Sequence, residues 1–257
     1  MDTLKKIKKI TKEKKPDTSN YNTTQLHPEM TFERHVFHRD QFAHYLRWTH
    51  VLNQATIGKK ILDFGTGNGN IYEVFYRNRY SPKKFIGLDI RKQTIKKNEE
   101  KFPKAEWYVE DLVKMKKHYG KDWDFITSFE VAEHVGKKNV GKFLDNIADH
   151  CNKNTTVLIS TPCYDPEVGA ADNHIYDGGP QELTYSEMEK LVSKRFKIEK
   201  VFGTFASQKD YKKLMDKHQK KLFDQMGEYY DSNLMSVIFA PLFPKQSRNC
   251  MWRLKLK

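Results

Sequence analysis

The sequence predicts an α/β fold built on a mostly parallel sheet. Three observations carry that prediction. Short apolar runs alternate with helical periodicity from residue 60 onward, the first run ends in the cluster Gly65-Thr66-Gly67-Asn68-Gly69, and the second ends in Gly87-Leu88-Asp89. Alternating strands and helices imply right-handed crossovers, which set helices on both faces of the sheet. A strand that runs through glycines into a helix marks the edge where such sheets bind ligands.

The elements follow in order. Residues 1–29 are polar, lysine-rich and broken by Pro16 and Pro28, which predicts a mobile basic tail before one domain over 30–257. Phe32, Val36, Phe37, Leu46, Val51 and Leu52 recur at helical spacing, so one or two helices are expected within 30–55. Lys60–Phe64 reads as strand one, 70–78 as a helix, Lys84–Ile90 as strand two, 93–101 as a helix and Glu106–Val109 as strand three. Asp122–Phe129 reads as strand four, and Val140–Cys151 as a helix turning Phe143, Leu144, Ile147 and Cys151 inward. Thr155–Thr161 is strand five. Thr184 and Glu187 have capping-box spacing ahead of a helix carrying Met188, Leu191 and Val192. Phe196–Val201 and Met251–Leu256 are strands six and seven. The stretch 204–248 between them is long for a connection, and its stripe of Tyr211, Met215, Leu222 and Met226 predicts a partly helical insertion.

Composition narrows the classes. A chain of 257 residues can bury one large core. No apolar run approaches the ~20 residues needed to span a bilayer, and the basic start has no apolar stretch behind it, so neither a membrane span nor a secretory leader is expected. Cys151, Cys163 and Cys250 are odd in number and form no CxxC pair, which fits a reduced, cytoplasmic compartment. Net charge is +13, and the first fifteen residues hold seven lysines against Asp2 and Glu13. Such a surface attracts nucleic acid, and a merely solubilising lysine coat reads the same way.

The strongest local signal is Ile61-Leu62-Asp63-Phe64-Gly65-Thr66-Gly67-Asn68-Gly69-Asn70. Gly65 and Gly67 let the backbone turn tightly and approach a ligand, and amides at the following helix start face its polar atoms. Asp89 at the second strand end suits the two hydroxyls of a ribose, and Asp111 after the third strand lies where an adenine amine would be reached. A dehydrogenase would want GxGxxG, but Asn70 stands at the third glycine position.

With these residues the chain resembles the class I S-adenosylmethionine-dependent methyltransferases, over about 30–203. The resemblance implies a Rossmann-like sheet of seven strands in the order 3-2-1-4-5-7-6, the seventh antiparallel, and S-adenosylmethionine as cofactor. Asp63, Gly65, Thr66, Gly67 and Gly69 would then surround its methionine end. Asp89 and Ile90 would meet the ribose side, Asp111 and Leu112 the adenine, and Phe129 the end of strand four. Helices ahead of the sheet cover the methionine end in that family, where Arg39 or Arg47 would pair with the carboxylate.

Beyond strand four, Glu130, Glu133 and His134 are spaced three and four apart, which on a helical turn points all three one way. Two carboxylates and an imidazole suit a hard divalent cation when a fourth ligand arrives, and His174 after strand five is the candidate. The E-x-x-E-H run resembles two methyltransferase groups, the O-methyltransferases of ubiquinone synthesis and those methylating the terminal 2′-hydroxyl of small RNAs. The second implies a magnesium- or manganese-like ion on Glu130, Glu133, His134 and His174, with Glu133, His134 and His174 nearest the chemistry. Without a metal, His134 or His174 is a general base for a hydroxyl, or simply completes a core hydrogen bond. There is no D/N-P-P-Y/W run, and Cys163 reads as a packed thiol, which disfavours DNA-base methylation. Three functions stay open: methylation of a hydroxyl on a nucleic acid or nucleotide, the same reaction on a small metabolite, and a non-catalytic adenosyl-binding subunit.

Overall fold

The computed structural model describes residues 39–54, 58–170, 174–206 and 211–257. The expected tail over 1–29 and the start of the expected pre-sheet helices lie outside the described residues. Helix α1 (Arg39–Gln54) leads into β1 (Lys60–Phe64), α2 (Asn70–Arg77), β2 (Lys84–Asp89), α3 (Lys92–Lys101) and β3 (Glu106–Val109). Then come β4 (Phe125–Phe129), the short α4 (Ala132–Val135), α5 (Val140–Asp149) and β5 (Thr156–Pro162). A small hairpin, β6 (Ile175–Tyr176) and β7 (Gly179–Pro180), precedes α6 (Tyr185–Val192) and β8 (Phe196–Ala206). Helices α7 (Lys217–Gly227) and α8 (Ser232–Phe239) come before β9 (Ser247–Leu256).

The main sheet runs β3-β2-β1-β4-β5-β9-β8. With the hairpin strands set aside this is the expected 3-2-1-4-5-7-6 order, and β9 is antiparallel to both β5 and β8. Central strands read as continuous apolar runs because helices cover both faces. Ile61, Leu62, Ile126, Val157, Leu158 and Ile159 are all fully buried. On one face Phe143, Leu144 and Ile147 of α5 join Met188 and Val192 of α6 in the main core. Tyr72 of α2 packs edge-on against Phe85, Phe102 and Trp107, building a separate aromatic cluster near β2 and β3.

The capping box of α6 is present: the Glu187 amide donates to Thr184 Oγ1 at 3.2 Å and the Thr184 amide to Glu187 Oε2 at 2.7 Å. Strand four begins at Phe125 rather than Asp122, and α5 stops at Asp149. Strands β8 and β9 reach further than the apolar pattern suggests, because they pair with each other past Gly203 and Asn249. The inner end of β9 is polar in sequence but buried, with Ser247 and Asn249 both under a tenth exposed. Tyr211, Met235, Phe239 and Phe243 give the intervening segment its own small core, and α8 packs on α1 and β8. Among the described residues no helix is long and apolar enough to cross a membrane.

Candidate active site

The glycine turn is wired to the next strand. The Gly65 and Thr66 amides both donate to the Leu88 carbonyl at 2.8 Å, and the Gly67 amide donates to Asp89 Oδ2 at 2.9 Å. Gly65 has φ 80°, and a Cβ there would meet Val131 Cγ2 at 2.3 Å, so only glycine fits. Gly69 caps α2 at φ 74°.

Asp63 lies beneath this turn, 2% exposed. Its Oδ1 accepts from Thr127 Oγ1 at 2.7 Å, while Oδ2 and the neighbouring Thr66 hydroxyl are buried and make no hydrogen bond within the protein. Burial pushes its carboxyl up to about 6, although the Thr127 hydroxyl works the other way. Asp89 holds its carboxylate beside the turn, with Oδ1 accepting from the Arg91 amide at 2.9 Å and Arg91 Nε at 3.0 Å. Its Oδ2 also accepts from Arg91 Nη2 at 3.2 Å. Ile90 next to it is exposed. Asp111 folds back on its own loop, Oδ1 accepting from the Val113 and Lys114 amides, while Leu112 is buried and Phe129 half-buried. The Arg39 side chain lies outside the described residues. Arg47 is buried, with its guanidinium against Glu130 and Asn249.

Among the described residues, Glu133, His134 and His174 form one group whose ligand atoms all lie within 4.8 Å of one another. The two imidazoles meet edge to face, 5.0 Å between centroids. Glu133 is 1% exposed; its Oε2 accepts from Thr161 Oγ1 at 3.0 Å and its Oε1 is buried without a hydrogen-bond partner. Burial and the nearby Glu130 charge raise its carboxyl well above the usual range. Burial, then His174, lowers the His134 imidazole. Tyr176 closes the group from behind, its hydroxyl donating to the Glu133 carbonyl at 2.8 Å.

Glu130 is turned elsewhere. It precedes α4 with φ 56°, so the helical spacing that would align it with Glu133 and His134 does not apply. Oε1 accepts from Ser160 Oγ at 2.7 Å and Oε2 from Asn249 Nδ2 at 2.7 Å, and Arg47 Nη1 lies 3.5 Å from Oε1. Burial works to raise this carboxyl, but the charge of Arg47, with the hydrogen bonds from Ser160 and Asn249, brings it below its ordinary value. Arg47 also donates to Asn249 Oδ1 at 3.1 Å and to His44 Nδ1 at 2.8 Å.

Two residues with no motif around them also belong here. Glu182, 1% exposed, lies 2.7 Å through Oε1 from His174 Nδ1. Asn249 ties β9 to Glu130. The one sequence signal for the first is the two-residue turn Asp177-Gly178, which brings Glu182 back toward His174.

Residues 37–224 match a family model described as a methyltransferase domain. Among solved structures, the chain is similar to a TehB-like SAM-dependent methyltransferase from Corynebacterium glutamicum, at 16% identity and TM-score 0.54 over 90% of this chain and 100% of that one. It is similar to an S-adenosylmethionine-dependent methyltransferase from Clostridium acetobutylicum at 12% identity and TM-score 0.55, over 90% of this chain and 96% of that one. A chain from the complex between the Haloferax volcanii Trm112 methyltransferase activator and a putative methyltransferase matches at 12% identity and TM-score 0.53, over 84% and 96%. At these identities the likeness is one of fold. No curated protein matches.

Proposed function

The chain belongs to the methyltransferase domain family, and on that premise we propose that it is an S-adenosylmethionine-dependent enzyme that methylates a hydroxyl oxygen of a nucleic acid or nucleotide. S-adenosylmethionine supplies an electrophilic methyl on a sulfonium, which an acceptor oxygen attacks in line. The protein's part is to orient both partners and manage one proton.

The cofactor pocket fits that ligand. Asp63 Oδ2 and Thr66 Oγ1 are buried polar atoms without partners inside the protein, and an ammonium group beside them would satisfy both. Asp89 would offer its carboxylate to ribose hydroxyls once the exposed Arg91 side chain moves aside.

The acceptor assignment rests on one observation, the convergence of Glu133, His134 and His174 with Glu133 Oε1 left unpartnered. Two imidazoles and a carboxylate are a sound donor set for a divalent transition-metal cation such as manganese, iron, cobalt or zinc. A cation bound there would lower the pKa of a coordinated hydroxyl and fix its oxygen. Glu133, His134 and His174 would hold it; Glu130, committed to Arg47 and Asn249, would orient the surrounding wall. The net charge of +13 favours a polyanionic acceptor.

The test is transfer of labelled methyl groups from S-adenosylmethionine into fractionated cell extract, with and without chelator. Label should enter the nucleic acid or nucleotide fraction, and chelator should abolish it until metal is restored. Label in small metabolites alone would reassign the acceptor. Binding of the cofactor with no transfer to any fraction would make the chain a non-catalytic subunit.

A further inference from the structure

Glu182 has no place in the chemistry above, yet it is among the most buried charged residues of the described chain. It stands between β7 and α6, eight residues after His174, and the β6–β7 hairpin folds it back. The Gln181 amide donates to the His174 carbonyl at 2.8 Å, and Gln181 Nε2 donates to the Tyr176 carbonyl at 2.7 Å. Glu182 Oε1 then lies 2.7 Å from His174 Nδ1. A carboxylate only accepts, so Nδ1 carries the hydrogen; in the neutral ring Nε2 is left with the lone pair. Arg248 Nη2 lies 3.9 Å from Glu182 Oε2 and donates to the Gly169 carbonyl at 2.7 Å, placing a positive charge that holds the carboxylate in position.

We propose that Glu182 is the positioning residue of the Glu133–His134–His174 group, fixing His174 with Nδ1–H and aiming Nε2 at the point the three donors share. This rests on the reading of that group as a cation site. A carboxylate behind a metal-binding imidazole sets the tautomer and raises the donor strength of the other nitrogen.

The experiment uses the full chain, freed of metal and labelled with nitrogen-15 at histidine. Long-range proton–nitrogen correlation identifies the His174 tautomer, and cobalt(II) titration, followed by visible absorption, measures cation affinity in the same samples. The wild type should show His174 protonated at Nδ1 and bare at Nε2. Glu182→Ala should weaken cobalt binding about 10–100-fold, Glu182→Gln by less because it keeps an acceptor, and neither should change S-adenosylmethionine affinity. A proton on Nε2 in the wild type overturns the proposal, as does a Glu182→Ala protein that binds cobalt like the wild type. If neither variant folds, the wild-type tautomer decides it. A wild type with the stated tautomer that takes up no cobalt overturns the cation reading alone and leaves the hold of Glu182 on His174 standing.

Discussion

Arg47 of α1 and Glu130 after β4 form a buried ion pair, Nη1 to Oε1 3.5 Å, with the arginine side chain 2% and the glutamate 23% exposed. The pair commits Glu130 to Arg47, and Asn249 and Ser160 complete its coordination by hydrogen bonds. Removing one partner of such a pair strands the other charge. Glu130→Ala is therefore expected to destabilise by about 3 kcal/mol, the lower end of the range for broken buried pairs because the glutamate is not fully enclosed. Urea unfolding reads the loss, and Arg47→Met in the same chain should recover part of it. Unchanged stability with lost cation binding would return Glu130 to the ligand set.

Asp63 sets a pH-dependent cost. Its carboxyl rises from the usual 3.8 to about 6, chiefly by burial. The folded state then holds a proton that the unfolded state has released, so stability falls as pH climbs from 3.8 to about 6 and stays lower above it. The cost is about 3 kcal/mol at neutral pH. The difference in unfolding free energy between Asp63→Asn and the wild type should grow in the variant's favour across that window and then level off. On the proposed reading, the same variant should also bind S-adenosylmethionine more weakly, because the charge assigned to its amino group would be gone. A pH-independent difference would place the carboxyl's titration elsewhere.

On the proposed reading, Arg91 competes with the cofactor for the Asp89 carboxylate. A carboxylate has about four acceptor sites, and the Gly67 amide, the Arg91 amide and two guanidinium nitrogens already use four. Ribose hydroxyls must displace the Arg91 side chain. That side chain is 59% exposed, so its pairing is worth only about 0–1 kcal/mol. Arg91→Ala should tighten S-adenosylmethionine binding by up to about fivefold, whereas Asp89→Ala should weaken it by about 1.5–3 kcal/mol. Calorimetry separates these, and weaker binding in Arg91→Ala would show that the arginine contacts the cofactor.

Gly65→Ala should cost about 1–3 kcal/mol in stability and abolish cofactor binding, since it combines a left-handed backbone with a 2.3 Å collision against Val131. Val131→Ala in the same chain should relieve the collision but not the backbone strain. Partial recovery in thermal unfolding is the expected result; full recovery would mean that φ 80° costs nothing here.

Much of the fold was legible because its cues are local. Apolar runs mark the strands, and Gly65 and Asp89 announce the ligand edge within a few residues of each other. The Thr184–Glu187 cap was readable from spacing alone. The place of Glu130 is not legible from helical spacing, because it stands before α4 in a left-handed conformation. Asn249 carries no visible cue, and for Glu182 the hairpin turn marks only the chain reversal, because tertiary packing alone shows that these polar side chains are buried. The polar run Ser247-Arg248-Asn249 hid the first part of β9 for the same reason.

Arg248 and Asn249 are neighbours on β9, and successive strand residues point to opposite faces. One serves Glu182 behind His174, the other Glu130 beside Arg47. A single residue inserted into β9 after Ser247 would swap those faces and disconnect both carboxylates together. Length variation should thus be tolerated around α7, which buries no side chain completely, and not between α8 and Ser247. Across evolutionary time this boundary would separate a remodelled outer helix from a strand whose phase cannot drift.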